Sequence, residues 1–165
     1  MFKQITPENF DNVFNAIGKQ WMLITAKKPD GSFNTMTASW GGLGVLWNKN
    51  VFFCFVRPQR FTHEFTEAAN EITLSFLGEE HRDALKICGA KSGRDCDKIA
   101  EAKLTPVKDG NFVYFEQASK VLCGKKLYVD RLKESGFVGI DPAQFYQAKD
   151  YHTIYVCEIV KALEK

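Results

Sequence analysis

The chain has 165 residues, enough for one domain with a substantial core, and its 45% hydrophobic and 25% charged content is ordinary for a soluble globule. A net charge of +2 is too balanced for a nucleic-acid-binding surface. No apolar run approaches the roughly 20 residues of a membrane-spanning helix. The N-terminal Met1-Phe2-Lys3-Gln4 shows neither the basic segment nor the apolar stretch of a signal peptide, so a cytoplasmic protein is the expectation. Fourteen phenylalanines suit a β-rich protein with a thick core or a large dimer interface.

In chain order, Thr6-Pro7-Glu8 reads as a helix start, followed by Phe10, Val13, Phe14 and Ile17 at helical spacing and ended by Gly18. Trp21 to Ala26 and Phe33 to Ser39 read as the strands of a hairpin around the turn Lys28-Pro29-Asp30-Gly31. Gly41, Gly42 and Gly44 suggest a bulge or a close approach of backbone to a ligand. A second turn covers Trp47 to Asn50. Val51 to Val56 has almost no polar residue and is expected to be a central strand buried on both faces. A short helix carries Phe61, Phe65, Ala68 and Ala69, and Glu71 to Leu77 is a further strand.

Glu79 to about Ala90 reads as a helix broken by Ser92-Gly93, with Asp95 capping a short helix to Ala102. Leu104 to Val107 and Asn111 to Phe115 are short β pieces. Ala118 to Val129 is a long strand bent at Gly124, Asp141-Pro142 caps a short helix, and Thr153 to Val160 is the last strand. Six or seven strands without regular crossover helices point to an antiparallel barrel with peripheral helices, in a single domain over 1–165.

Five cysteines form no CxxC pair, and their odd number argues against a disulfide framework. Cys54, Cys123 and Cys157 lie in strand-like runs as small core residues. Cys88 and Cys96 flank a polar loop, either as a redox or metal pair or, more simply, as packing residues; no zinc spacing is present.

The stretch Asn34 to Phe65 carries the chemistry. A hydroxyl and small-residue cluster, Thr37-Ala38-Ser39-Trp40-Gly41-Gly42, ends one strand, and Arg57-Pro58-Gln59-Arg60-Phe61-Thr62 ends the next. Hydroxyls, bare backbone and guanidinium groups are the donors a phosphate needs. Arg57 and Arg60 are candidate phosphate contacts; surface ion pairs are the alternative. Lys91 and Arg94 offer further contacts, or else a solvated loop.

The order NTMTASWGG, apolar strand, RPQRFTHEF resembles the flavin reductase-like family of split-barrel proteins, which includes flavoredoxin. The resemblance continues through Ser92-Gly93-Arg94-Asp95 with Asp97-Lys98 and closes with Tyr151-His152-Thr153-Ile154. It implies a mainly β, antiparallel Greek-key split β-barrel with peripheral helices. It also implies a homodimer, with FMN near the subunit interface.

On that resemblance Met36, Thr37, Ala38, Ser39 and Trp40 run along the isoalloxazine and ribityl chain, while Arg60 and Thr62, with Ser39, hold the phosphate. The serine common between the two arginines is replaced here by Pro58-Gln59, and a frequent Gly-Glu by Cys157-Glu158.

The implied activity is NAD(P)H-dependent flavin reduction, with NADH or NADPH as donor and electrons passing to free flavin, a protein acceptor or another acceptor. A flavoredoxin-like carrier without its own NAD(P)H activity is the alternative. A haem-binding or ligand-free regulatory relative, and a pyridoxine-phosphate-oxidase-like enzyme, are more distant ones. Such chemistry belongs to the cofactor and needs no protein nucleophile. His152 is the candidate catalytic residue, orienting nicotinamide or donating a proton; a buried structural histidine is the other reading. His63 and His81 are expected to be exposed.

Overall fold

The structure, a computed structural model, describes residues 2–7, 10 and 12–165. Among the described residues ten strands are present: β1 (Lys3–Ile5), β2 (Met22–Lys27), β3 (Phe33–Ala38), β4 (Gly41–Leu46), β5 (Lys49–Val56), β6 (Glu71–Leu77), β7 (Pro106–Asp109), β8 (Phe112–Phe115), β9 (Ala118–Arg131) and β10 (Thr153–Glu164). Helices α1 (Val13–Asn15), α2 (Phe61–Ala68), α3 (Arg82–Ala90) and α4 (Lys98–Glu101) lie between them. No described helix is long and apolar enough to cross a membrane.

One antiparallel sheet runs in the order β3-β2-β6-β9-β10-β5-β4, with β1 on β10 and a separate β7–β8 hairpin. The first and last strands of that path, β3 and β4, are consecutive in sequence. Only Ser39 and Trp40 separate them. Seven strands laid flat would put the outer pair about 29 Å apart at ~4.8 Å per step. The chain from Ala38 to Gly41 reaches about 11 Å at most. The sheet must therefore curl until its edges meet, and the Ser39–Trp40 link becomes the seam of a split barrel.

The core records the closure. Met36 from β3 and Leu43 from β4 pack in one cluster with Ile24, Phe52, Cys54, Leu74, Leu122, Tyr155 and Cys157. A second cluster lies where α3 and the β7–β8 hairpin cover the sheet, around Leu23, Leu85, Cys88, Phe115, Val121 and Cys123. Strand β9 carries an extra residue at Leu127 and β10 one at Val160. Such bulges add the local twist that a curled sheet needs.

Several elements match expectation. The β2–β3 hairpin pairs Met22 with Ala38 and Lys27 with Phe33, and Gly31 sits at φ +86° in its turn. Trp47 and Asn48 have φ of 50° and 57°, the left-handed pair of a two-residue hairpin that brings Leu46 opposite Lys49. Cys54, Cys123 and Cys157 are fully buried. Cys88 is buried in the core and Cys96 half-buried, and both are free thiols.

Other elements differ. The described residues hold ten strands, not six or seven: Gly41–Leu46 is a regular strand rather than a bulge, and β1 pairs with the end of β10. Strand β5 is next to the sheet end, with Phe53 and Phe55 only half-buried, so it is not a central strand covered on both faces.

Helix α1 begins at Val13, where the Asn12 side chain accepts from the Asn15 amide, and widens over Ala16–Gln20; Pro7 of the expected start is in a 3-10 turn whose carbonyl accepts from the Phe10 amide. Glu8 of the expected start lies outside the described residues. Phe14, expected on its apolar face, is 90% exposed. Helix α4 is capped by Asp97, not Asp95, because the Asp97 carboxylate accepts from the Ala100 amide at 3.1 Å. His63 is half-buried against the Thr153 hydroxyl at 2.9 Å rather than exposed.

The glycines after the seam serve the barrel itself. Gly41 has φ +154°, and a Cβ there would lie 2.8 Å from the Phe53 carbonyl. Gly42 lies under the Phe53 ring, so the close approach is to protein rather than to a ligand. Gly41→Ala should destabilise the fold by about 1–3 kcal/mol, from backbone strain and the Phe53 clash, read as a lower urea midpoint with an unchanged denaturant slope.

Candidate functional site

The seam opens into a cleft of about 230 Å³ lined by the end of β3 (Met36, Thr37, Ala38), Ser39 and Trp40, Phe55 and Arg57 at the end of β5, Arg60 and His152. Each arrives there for a local reason. The Thr37 hydroxyl donates to the Leu85 carbonyl at 2.5 Å, which ties the end of β3 to α3. Trp40 stands on the seam, 44% exposed, edge-on to Phe145 at 5.8 Å and tilted against His152 at 5.3 Å. The cleft therefore has flat walls and one open side.

His152 is buried at the entry to β10, with Nδ1 2.8 Å from the Tyr146 hydroxyl. Burial, and then the charge of Arg57, pull its pKa down to about 4. It is a neutral imidazole at physiological pH. Arg57 itself is committed. It donates to Asp150 at 2.9 Å and to the Phe145 carbonyl at 2.7 Å, and lies over the Tyr146 ring. Gln59 donates to the same Asp150 carboxylate. Arg57 thus fastens the 132–150 segment to the cleft and stands on the His152 side.

Arg60 joins this cleft to a smaller cavity of about 80 Å³ lined by Gln59, Arg60, Phe61, Thr62, Ala90, Lys91, Ser92 and Lys98. The start of α2 forms one wall. This helix has no side-chain cap, and the N–H groups of a first helical turn lack intrahelical partners. The end of α3 forms the opposite wall, where two cations meet its last carbonyls. Arg60 donates to Gly89 at 2.8 Å, and Lys98 to Cys88 at 3.3 Å and to Lys91 at 3.2 Å. Lys98 is 3% exposed. Burial pushes its ammonium down to about 8, and Arg60 adds to that pull. Arg60 is shifted down as well, by burial first and then by Arg57.

Of the residues expected from sequence, Met36, Thr37, Ala38, Ser39, Trp40, Arg57, Arg60 and His152 share the cleft. Thr62 and Lys91 line the smaller cavity. The Thr62 hydroxyl accepts from Asn34 at 2.9 Å, and the Lys91 ammonium pairs with Glu101. Arg94 points away, over Phe61 and to Glu64.

Phe55 was not singled out from the sequence, and Lys98 entered only within the Asp97-Lys98 of the family resemblance, without a site role. Lys98 ends the Ser92-Gly93-Arg94-Asp95-Cys96-Asp97-Lys98 run, and a lysine one residue after a capping Asp was the available signal. Its burial depends on how α3 and α4 fold back on each other.

A profile for the Flavin reductase like domain matches residues 14–165. The chain belongs to the flavin reductase-like family. No curated protein sequence matches it significantly. Among solved structures, the domain resembles the FMN-binding domain of a flavin reductases-like enzyme from Shewanella baltica OS155, at 12% identity and TM-score 0.70 over 99% of this chain and 77% of the other. Flavoredoxin of Desulfovibrio vulgaris (Miyazaki F) superposes at 16% identity and TM-score 0.70, over 98% and 76%. An NADH:FAD oxidoreductase from Streptomyces globisporus C-1027 superposes at 15% and 0.65, over 88% and 75%. The split-barrel fold of the flavin reductase-like domain is thus shared with a flavin reductases-like enzyme, a flavoredoxin and an NADH:FAD oxidoreductase.

The depressed pKa of His152 has a readable consequence. Between about pH 6.5 and pH 4 the unfolded chain binds a proton that the folded domain refuses. Stability contributed by this group is full above pH 6.5 and declines as pH falls through that window. His152→Gln should flatten that part of a stability-against-pH curve, and the wild-type His152 imidazole should stay neutral by NMR down to about pH 5.

Proposed function

We propose that this flavin reductase-like domain binds FMN and acts as an NAD(P)H-dependent flavin oxidoreductase. The observation that carries the reading is the pairing of two cavities through Arg60. One has flat aromatic walls at a seam of backbone and hydroxyl groups. The other is phosphate-sized and bounded by a helix start, the buried Lys98, the half-buried Arg60 and two hydroxyls. A buried ammonium that burial lowers to about 8 would gain from an anion beside it, and an uncapped helix start is a ready anion site. The residues present therefore suit a phosphate-bearing flavin.

In this reading Lys98, Arg60 and the Thr62 and Ser92 hydroxyls hold the phosphate, with Lys91 at the rim. Thr37, Ala38 and Ser39 run beside the ribityl chain, and Met36, Trp40 and Phe55 bound the ring. FMN, when bound, supplies the hydride-accepting and electron-passing chemistry. The protein binds, orients and excludes water. His152, neutral, is placed to hydrogen-bond a ring edge or a nicotinamide rather than to carry a charge. Arg57 positions the 132–150 segment that bears Phe145 and Tyr146 against Trp40 and His152.

The open side at Trp40 also suits a flavoredoxin-like carrier, because a protein donor can reach a ring exposed there. The domain is further proposed to be a homodimer. Val45, Leu46, Leu127, Tyr128, Val129 and Val160 on β4, β9 and β10, and Trp47 in the β4–β5 turn, are all exposed, and Trp47 lies 6.4 Å from Tyr128 between ring centroids. A band of that kind marks an interaction surface.

The deciding experiment is an anaerobic absorbance spectrum with FMN, before and after one equivalent of NADH. A perturbed flavin spectrum that bleaches within seconds supports the reductase. Bound flavin bleached only by a reduced protein supports the carrier, and no bound flavin removes both.

Lys98→Met should weaken FMN by about 1.5–3 kcal/mol, the scale of a charge-assisted contact. FMN affinity of the wild type should be full below about pH 8 and fall as pH rises past it, since the free protein loses the Lys98 proton there; the variant should lack that fall. Light scattering at micromolar concentration should give twice the chain mass, and a monomer mass would defeat the dimer.

A further inference from the structure

Lys98 is the only lysine buried among the described residues. As a partner for a flavin phosphate it supplies charge, but its nitrogen is also a nucleophile. An ammonium has three N–H donors, and two of them here go to the Cys88 and Lys91 carbonyls at the end of α3, at 3.3 and 3.2 Å. The proton that neither carbonyl holds is the first to leave. The lone pair it uncovers is set away from those carbonyls, in the cavity of about 80 Å³ that Lys98 lines. Burial has brought this ammonium down to about 8, so roughly a tenth of it is amine at pH 7.

The surroundings are built to receive an anion. Arg60 lines the same cavity, with its guanidinium on the Gly89 carbonyl at 2.8 Å. The Thr62 hydroxyl accepts from the Asn34 side chain at 2.9 Å, and the Ser92 hydroxyl accepts from the Arg94 backbone N–H at 3.2 Å. Each therefore keeps its own O–H to donate. The start of α2 adds N–H groups without a side-chain cap.

A reaction that turns the Lys98 amine into an anion is favoured in such a place. Acylation is not, because it removes the ammonium charge and leaves a neutral amide among cations. The volume suits an added group of a few heavy atoms.

We infer that Lys98 is a carbon dioxide acceptor, and that its carbamate takes the place of the flavin phosphate beside Arg60. The amine lone pair attacks the carbon of carbon dioxide. A C–N bond forms, and one C=O electron pair moves onto oxygen. One N–H proton leaves to water, so amine and carbon dioxide give a carbamate anion and a proton, with nothing oxidised or reduced. The N–H that remains keeps a carbonyl partner, and the new oxygens face the donors of Arg60, Thr62 and Ser92. Flavin loading then falls as carbon dioxide rises. This competition rests on the proposed flavin site; the carbamate itself does not.

The probe is isotope-labelled bicarbonate with its dissolved carbon dioxide, added to flavin-free protein and followed by carbon NMR. One carbamate resonance should appear beyond that of the chain's α-amino group, vanish when bicarbonate is removed, and be absent from Lys98→Met. Inorganic phosphate, and separately FMN, should displace it from the wild type. Saturating carbon dioxide should weaken FMN several-fold in the wild type and have no effect on FMN in Lys98→Met.

A substitution at a buried lysine can disturb the fold, so Arg60→Met provides a second variant. It keeps the amine and should lower carbamate occupancy several-fold at the same carbon dioxide. Absence of the second resonance in the wild type, or its persistence in Lys98→Met, overturns the inference. So does a carbamate that coexists with bound FMN. A Lys98 carbamate displaced by phosphate in a protein that binds no FMN would retain the carbamate assignment while the flavin reading fails. FMN binding with no Lys98 carbamate would do the reverse.

Discussion

The two-residue link between β3 and β4 governs this molecule. Those strands are the two ends of a seven-strand path, and a link of that length cannot span an unrolled sheet. Closure is therefore demanded by connectivity before any side chain is considered. The side chains then agree with it. Met36 and Leu43, from opposite ends of the path, meet in one core. Gly41 supplies the backbone freedom to re-enter a strand directly after the seam. The bulges at Leu127 and Val160 add twist in the longest strand pair. Because the edges meet without pairing at Ser39 and Trp40, unpaired backbone and hydroxyl groups are left beside a cleft.

Charge is placed on the same economy. Helix α3 ends, and helix α2 begins, at one small cavity. A helix end presents carbonyl oxygens and a helix start presents N–H groups, so opposite partial charges face each other there. Arg60 and Lys98 are drawn to the carbonyls of Cys88, Gly89 and Lys91, which leaves the cavity with an excess of donors. Burial first, and then the nearby Arg60 charge, lower the Lys98 ammonium in that arrangement. Arg57, only three residues away in sequence, has a different task. Asp150 and the Phe145 carbonyl hold it, and through it the 132–150 segment stays on the aromatic side of the cleft.

Much of this was legible in the sequence wherever the determining interaction is local. The Lys28–Gly31 turn fixes its hairpin through proline and glycine backbone preferences, and Glu71–Leu77 is a strand with the bounds its composition suggests. The hydroxyl cluster before Trp40 and the Arg-Thr pair after β5 do line the candidate site.

What the sequence hid depends on tertiary placement. Strand β4 is glycine-rich, so propensity argues against it, and the Phe53 ring over Gly42 argues for it. Lys98 looks like a solvated lysine until α4 folds back on α3. Trp21 reads as the first residue of a strand, yet it sits one residue before the strand in a conformation that composition does not reveal.

The seam also sets where such a protein can change length. A longer Ser39–Trp40 connection would release the two edges, widen the split and carry Trp40 away from His152, so insertions there are costly. The 132–150 segment is under no such demand. It is fastened by side chains, the Arg57 and Gln59 contacts to Asp150 and the Tyr146 hydroxyl on His152, rather than by strand pairing, and Val138 and Ile140 stand open to solvent on it. Related domains that diverge in what they accept are therefore expected to differ by insertion and deletion in that span while keeping the seam at two residues.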